Sequence, residues 1–362
     1  MIKKILVLIT LALPGIPSFA QSVDSLDFKI GQMLIVGFAK QQVEMSDQTI
    51  KDIETGKVGG IILFEKNITS NNSYINLKSL TWNLQKKAPL PLFMAIDQEG
   101  GRVNRLKEKY TFPKSVSAQY LGLINDPDST RFYAEITAAT LSGLGFNVNF
   151  APVVDLSINK SNPVIAKIER SYSDDPEVVA SHAMQVIEAH NRHGVITVLK
   201  HFPGHGSSHA DTHLGIADVT PYWQREELVP YQRLLEANHV KAIMTAHIVN
   251  KKLDKDGNPG TLSKYIMTDL LRESMGYKGV IFSDDMQMHA ITKHYGLENA
   301  IKLSILAGVD VLMFSNNIQG SENRTVETVH NIIKKLIAEG TITKERIDES
   351  YRRIVNLKST LK

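Results

Sequence analysis

The feature that most constrains this chain is an alternation that persists almost to its end: short apolar runs rich in Val and Ile, separated by longer segments of helical spacing. The runs are Met33–Gly37, Val58–Phe64, Leu92–Ile96, Phe146–Phe150, Val195–Lys200, Ala242–Ala246, Val280–Ser283 and Val309–Phe314, eight in all. Helical segments include Ser129–Leu144, Pro176–His193, Gln224–Ala237, Ser263–Ser274 and Leu297–Ala307, with Thr325–Ala338 and Thr343–Leu357 closing the chain. Strands that alternate with helices build a parallel sheet buried on both faces, and eight such units close a barrel. The expected fold is therefore α/β, a single-domain (β/α)8 barrel over residues 21–362, with an open doubly wound sheet as the alternative. No composition break, linker or internal repeat divides the chain.

Residues 1–20 stand apart. Lys3 and Lys4 precede an apolar run from Ile5 to Leu13, then Pro14, Gly15 and Pro17, then Ser18-Phe19-Ala20. This order of charged, apolar and small-residue regions reads as an export signal cut after Ala20. The apolar run falls far short of the roughly 20 residues a membrane span requires. The expectation is an exported protein, periplasmic or extracellular, with no membrane insertion after cleavage. The formal charge of +3 drops to +1 without the two leader lysines, so there is no electrostatic case for nucleic acid as a partner. With no cysteine, disulfide and thiolate chemistry are excluded. Nothing in the sequence sets the oligomeric state.

In a barrel of this kind, active sites form from loops at the carboxyl ends of the strands. The polar residues cluster there: Asp97-Gln98-Glu99-Gly100-Gly101-Arg102 after the third run, Asp155 after the fourth, Lys200-His201 at the fifth, His247 at the sixth and Asp284-Asp285 at the seventh. Between Lys200 and His213, histidines recur every four residues at 201, 205, 209 and 213, which on a helix would stack into a metal site. Pro203, Gly204 and Gly206 forbid that helix, so no metal and no other cofactor is expected. In an extended loop, Asp211 and His213 can instead point the same way as a dyad. The carboxylate would fix the imidazole tautomer while the ring gives and takes a proton near neutral pH. Other motifs fail. Gly143-Leu144-Gly145 precedes a strand and lacks the third glycine of a dinucleotide loop. A calcium loop beginning at Asp254 would need a glutamate where Tyr265 stands.

Four motifs in order, Asp97-Gln98-Glu99-Gly100-Gly101-Arg102-Val103, Asn149-Phe150-Ala151-Pro152-Val153-Val154-Asp155, the Lys200-to-His213 segment and Gly279-Val280-Ile281-Phe282-Ser283-Asp284-Asp285-Met286, give the chain a resemblance to family 3 glycoside hydrolases of the β-N-acetylglucosaminidase type. The resemblance runs from about Lys29 to Asn317 and implies a barrel. It departs at Ser207, where the family commonly has Asp. The β-glucosidase branch usually takes its acid/base from a second domain, for which no room is expected here. The N-acetylglucosaminidase branch carries Asp-x-His on the loop.

The resemblance implies an exo-acting retaining enzyme acting on an N-acetylglucosamine-terminated saccharide, with Asp284 as nucleophile and His213, oriented by Asp211, as acid/base. It also implies that Asp97, Arg170, Lys200, His201 and, less directly, Arg105 bind the sugar. Adjacent side chains on a strand point oppositely, which casts Asp285 as structural. A β-glucosidase, a phosphorylase and a non-catalytic sugar-binding protein are the alternative readings. Gly and Pro in the dyad loop suggest a segment that moves between turnovers. Without the family, Arg170 would read as the surface partner of Glu169.

Overall fold

A computed structural model of the chain describes residues 25–44, 46–212, 215–318 and 325–361. The leader at 1–20 and its cleavage site lie outside the described residues. The eight expected runs become β1 (Leu34–Gly37), β2 (Gly60–Leu63), β3 (Phe93–Ile96), β4 (Val148–Asn149), β5 (Ile196–Phe202), β6 (Ala242–Thr245), β7 (Val280–Asp285) and β8 (Val311–Phe314). Each pairs in parallel with the next, and Leu34 opposite Leu312 closes β8 onto β1. The closed sheet excludes the open doubly wound alternative. A short accessory pair, Ala217–Asp218 with Ile248–Val249, lies beside the barrel.

Burial on both faces explains why the strands read as continuous apolar runs with no polar alternation. Inside, Phe282 meets Phe93 and Phe150 edge to face at centroid distances of 5.6 and 6.0 Å. At the amino-terminal end the last helix, Lys344–Lys358, is anchored by buried Lys358, whose Nζ donates to Gln32 Oε1 and the Gly59 carbonyl, both at 2.7 Å. The same helix is tied to β8 through buried Asp310. That carboxylate accepts from Arg272 at 2.6 Å, Ser350 at 2.7 Å and Arg353 at 3.1 Å. Among the described residues, no helix is long and apolar enough to cross a membrane.

Local chemistry adjusts several expected boundaries. The helix expected from Ser129 starts at Pro127, because Asp126 caps the amides of Asp128 and Ser129 and Pro is tolerated at the first helical position. The segment Gln224–Ala237 is not one helix: a 3-10 turn over Arg225–Leu228 precedes an α-helix over Val229–Glu236. Pro230 has no N–H to donate, so an α-helix can accommodate it only in its first turn. The segment Ser263–Ser274 winds as a π-helix over Tyr265–Ser274, closing with the Met275 amide on the Leu270 carbonyl at 2.9 Å. An apolar face at three- to four-residue spacing does not separate that winding from an α-helix. The ladder of β4 is short because Pro152 interrupts it; pairing resumes where Val153 meets Lys200.

Candidate active site

The carboxyl ends of the strands open into a cavity of about 420 Å3 whose wall includes Asp97, Glu99, Arg105, Arg170, Lys200, His201, Asp211 and Asp284. A wider groove of about 680 Å3 lies at the opposite end of the barrel, where Lys241 and Gly279 precede β6 and β7. Among the described residues, Glu236 is the only carboxylate in its wall. Chemistry that needs several converging carboxylates therefore belongs to the first.

The charged residues of the mouth form a connected chain. Asp97, just past β3, accepts from Lys200 Nζ at 2.9 Å and from Arg105 at 3.4 Å. Glu99, two residues on, accepts the same lysine at 2.6 Å and grips Arg170 with two parallel bonds, Nε and Nη2 each at 2.8 Å. Burial opposes ionisation of both carboxyls, but the neighbouring cations prevail and hold both below the usual carboxylate range. Burial likewise works against the charge on Arg170, and Glu99 more than offsets it. Arg170 is thus a buried, two-point partner of Glu99, while Glu169 faces Arg102 at 3.7 Å. The backbone turns into the left-handed region at Glu169 (φ 64°) before Arg170 projects into the mouth. Sequence spacing does not announce this pairing, because Glu99 and Arg170 are 71 residues apart.

His201 links this chain to the end of β4. Its Nδ1 lies 2.6 Å from Asp155 Oδ2, which leaves Nε2 to accept from Arg170 Nη2 at 3.3 Å. Since Arg170 can only donate, the proton sits on Nδ1. Asp155 is fully buried, and although burial raises its carboxyl, His201 pulls it below the ordinary range. The same carboxylate accepts the backbone amides of His201 at 3.2 Å and His205 at 2.7 Å, so it organises the segment that follows β5.

On β7, Asp284 is half-buried at the cavity wall. Its amide donates to Thr245 Oγ1 at 3.2 Å and its Oδ1 accepts the Asp285 amide at 2.7 Å. Strand alternation separates the two aspartates only in part, because Asp285 also reaches the wall. Its carboxylate is nevertheless occupied by the Ser315 hydroxyl and the Gln287 amide, and burial pushes it up to about 6. His247, the polar residue after β6, is buried between Thr261 Oγ1 at 2.7 Å and the Asp285 carbonyl at 3.0 Å, where it braces the end of β7.

Asp211 lies at the cavity wall, whereas His213 lies outside the described residues. The segment before Asp211 is pinned. Asn162 Nδ2 donates to the carbonyls of His205 and Gly206 at 2.7 and 3.1 Å, and Asn159 Nδ2 to that of Ser208 at 2.7 Å. Trp223 Nε1 donates to the Pro203 carbonyl at 3.1 Å. Gly206 serves close approach, since a Cβ there would sit 1.8 Å from the Leu156 carbonyl oxygen. The glycines that suggest motion in the sequence are, up to Ser208, packing requirements. The walls also hold apolar residues that the sequence does not distinguish from core, such as Phe64 and Met288. Among the described residues, no three His, Cys, Asp or Glu side chains are arranged to hold a metal ion.

Residues 25–357 match the model described as the glycosyl hydrolase family 3 N terminal domain. The chain is 34% identical over 328 residues to "Beta-hexosaminidase A" of Pseudoalteromonas piscicida, covering 84% of this chain and 54% of that protein. It is 33% identical over 312 residues to a "Beta-hexosaminidase" of Xanthomonas euvesicatoria, covering 82% and 89%. Its fold superposes with a TM-score of 0.85, at 33% identity, on a family 3 β-N-acetylglucosaminidase from Paenibacillus sp. str. FPU-7, covering 93% of this chain and 62% of that one. The chain thus spans about half of the first relative and three-fifths of the solved structure.

Because Glu99 neutralises Arg170 through two charge-assisted bonds, Glu99→Ala leaves Arg170 without that anion, while Lys200 keeps Asp97, and should lower unfolding free energy by about 3–5 kcal/mol. Urea unfolding of Glu99→Ala, Arg170→Ala and the double variant should give a double-variant loss at least about 1 kcal/mol smaller than the sum. Strictly additive losses would show that the two side chains do not act as a pair.

Proposed function

The chain belongs to glycosyl hydrolase family 3, and on that basis we propose that it is an exo-acting, retaining β-N-acetylglucosaminidase that removes terminal N-acetylglucosamine from cell-wall fragments or other glycans. The observation that carries this reading is Asp284 at the end of β7, opening into the same cavity as Asp97, Arg170, Lys200 and His201. The Asp-x-His pair at 211 and 213 and the hexosaminidase names of the relatives support the N-acetylamino sugar. The charged and apolar order of residues 1–20 supports export to the periplasm or beyond.

The site chemistry follows in two steps. The Asp284 carboxylate attacks the anomeric carbon while the bond to the leaving oxygen breaks. The electron pair leaves with that oxygen, which takes a proton from His213. In the second step His213 removes a proton from water, the water oxygen bonds to the same carbon, and Asp284 departs. Two inversions give net retention. Asp211 orients the imidazole and stabilises its charged form. Each Asp97 oxygen accepts one cationic donor and retains lone-pair capacity for sugar hydroxyls, and Arg105, Arg170, Lys200 and His201 complete the polar wall.

On a panel of aryl glycosides, the N-acetylglucosaminide should be cleaved faster than the glucoside, with no dependence on added phosphate. Equal or faster cleavage of the glucoside would refute the N-acetylamino preference, and a phosphate requirement would identify a phosphorylase.

Asp284→Ala should abolish turnover while the protein stays folded, and a slow fluorinated sugar should label Asp284 by mass spectrometry. A label on Glu99 or Asp285 would assign the nucleophile elsewhere.

His213→Ala should harm natural disaccharides more than activated aryl substrates, because only a poor leaving group needs protonation as it departs. With the aryl substrate, azide should restore turnover by replacing water without needing a base. Equal losses on both substrates with no azide effect would remove His213 from the acid/base role.

A further inference from the structure

Three polar side chains lie behind the cavity wall, outside the chemistry described above, and they meet at the nucleophile. Thr245 ends β6, His247 stands two residues on, and Thr261 belongs to the 3-10 turn Gly260–Leu262, where its amide returns to the Ala246 carbonyl at 3.2 Å. All three are buried, and none lines the cavity. Thr245 Oγ1 lies 2.6 Å from Thr261 Oγ1, which lies 2.7 Å from His247 Nδ1. One end of this chain is the Asp284 amide, which donates to Thr245 Oγ1 at 3.2 Å. The other is the Asp285 carbonyl, 3.0 Å from His247 Nε2.

The two ends set the direction of the hydrogen bonds between them. A carbonyl only accepts, so His247 Nε2 donates to Asp285; a backbone amide only donates, so Thr245 Oγ1 accepts from Asp284. Among the described residues, the Thr245 proton has Thr261 Oγ1 as its one acceptor. The Thr261 proton then goes to His247 Nδ1 at 2.7 Å, which is closer than the Ala246 carbonyl at 3.3 Å. The result is a one-way relay from the Asp284 amide through Thr245, Thr261 and His247 to the Asp285 carbonyl, and its two ends bracket a single dipeptide. Inside the bracket the Asp285 amide donates to Asp284 Oδ1 at 2.7 Å, so a twist of this peptide unit turns the carboxylate with it.

We propose that Thr245, Thr261 and His247 are positioning residues for the nucleophile: their relay clamps the Asp284–Asp285 peptide at both ends and sets the direction in which the Asp284 carboxylate faces the anomeric carbon. The proposal rests on the reading of Asp284 as the nucleophile. Thr261 touches neither aspartate through its side chain, so it acts only through the relay. Without its hydroxyl, the Thr245 proton and His247 Nδ1 lose the partner they share, and each end of the bracket loosens as its side chain turns toward another. The clamp governs attack more than binding, because Asp97, Arg170, Lys200 and His201 are held by a separate set of bonds.

The test compares full-chain Thr261→Val, which removes the hydroxyl but keeps the branched shape, with Thr261→Ser, which keeps the hydroxyl. Three quantities are read: kcat/KM with an aryl N-acetylglucosaminide, the rate at which a slow fluorinated sugar labels Asp284, and the inhibition constant of N-acetylglucosamine. Thr261→Val should lower kcat/KM and the labelling rate together by about tenfold while the inhibition constant stays within about twofold of wild type. Thr261→Ser should restore both rates to within about threefold. Thr245→Val, which takes the acceptor from the Asp284 amide, should act in the same way, so the test does not depend on one variant folding. The double variant Thr245→Val/Thr261→Val should be no more than about twofold slower than the slower single variant, because the two hydroxyls belong to one relay. Wild-type labelling in Thr261→Val, a Thr261→Ser as slow as Thr261→Val, or losses that multiply in the double variant would overturn the proposal and leave Asp284 as the nucleophile. A label on another residue of the wild-type protein would refute that reading and the proposal with it.

Discussion

The chain of charge-assisted bonds from Asp97 through Lys200, Glu99, Arg170 and His201 to Asp155 is what the mouth of the barrel depends on. It joins the carboxyl ends of β3, β4 and β5 with the loop that delivers Arg170. Its members could not be buried separately, because each lone charge would carry a desolvation cost of several kcal/mol. Paired, they keep their charge states and their directions, so the cavity presents fixed donors and acceptors that need no reordering when a polar ligand enters.

Asp284 and Asp285 show how one strand end produces two different carboxylates. The Asp285 side chain is buried against Ser315 and the Gln287 amide, its carbonyl is braced by His247, and burial favours its proton. Asp284 is half-buried, and its amide is fixed by Thr245 on the neighbouring strand. The rigidity of the first carboxylate's surroundings therefore helps to place the second, which suits a group that must attack one carbon from one direction. At the other end of the barrel, Asp310 and Lys358 dock the last helix through buried polar groups with named partners.

The loop after β5 shows why composition misleads about motion. Gly204 and Gly206 look like hinges, yet their space is taken by Glu227 and by the Leu156 carbonyl, and side chains from Asn159, Asn162 and Trp223 hold the flanking carbonyls. Hydrogen bonding in this segment is dense, and the Glu227 carboxylate adds to it by accepting the Gly206 amide.

Much was legible in the sequence, for physical reasons that act locally. A parallel strand buried on both faces has to be a short apolar run, and each crossover needs a helix, so the alternation pointed to eight parallel strands, and the pairing of Leu34 with Leu312 decided for a barrel over an open sheet. The same topology gathers strand-end residues at one mouth, which brought Asp97, Lys200, His201, Asp211 and Asp284 to a common cavity, with Arg105 and Arg170 beside them. Local rules failed where backbone donors were missing, as at Pro152 in β4 and Pro230 in the segment read as one helix. Only the tertiary structure decided who pairs with whom. Glu99 and Arg170, Asp155 and His201, and Glu227 and Gly206 are separated by tens of residues, and a charge or a carboxyl has no spacing pattern that announces a distant partner. The identity of each ionisable residue was in the sequence, but its charge state and direction were not, because both are set by desolvation and by neighbours that arrive only when the barrel closes.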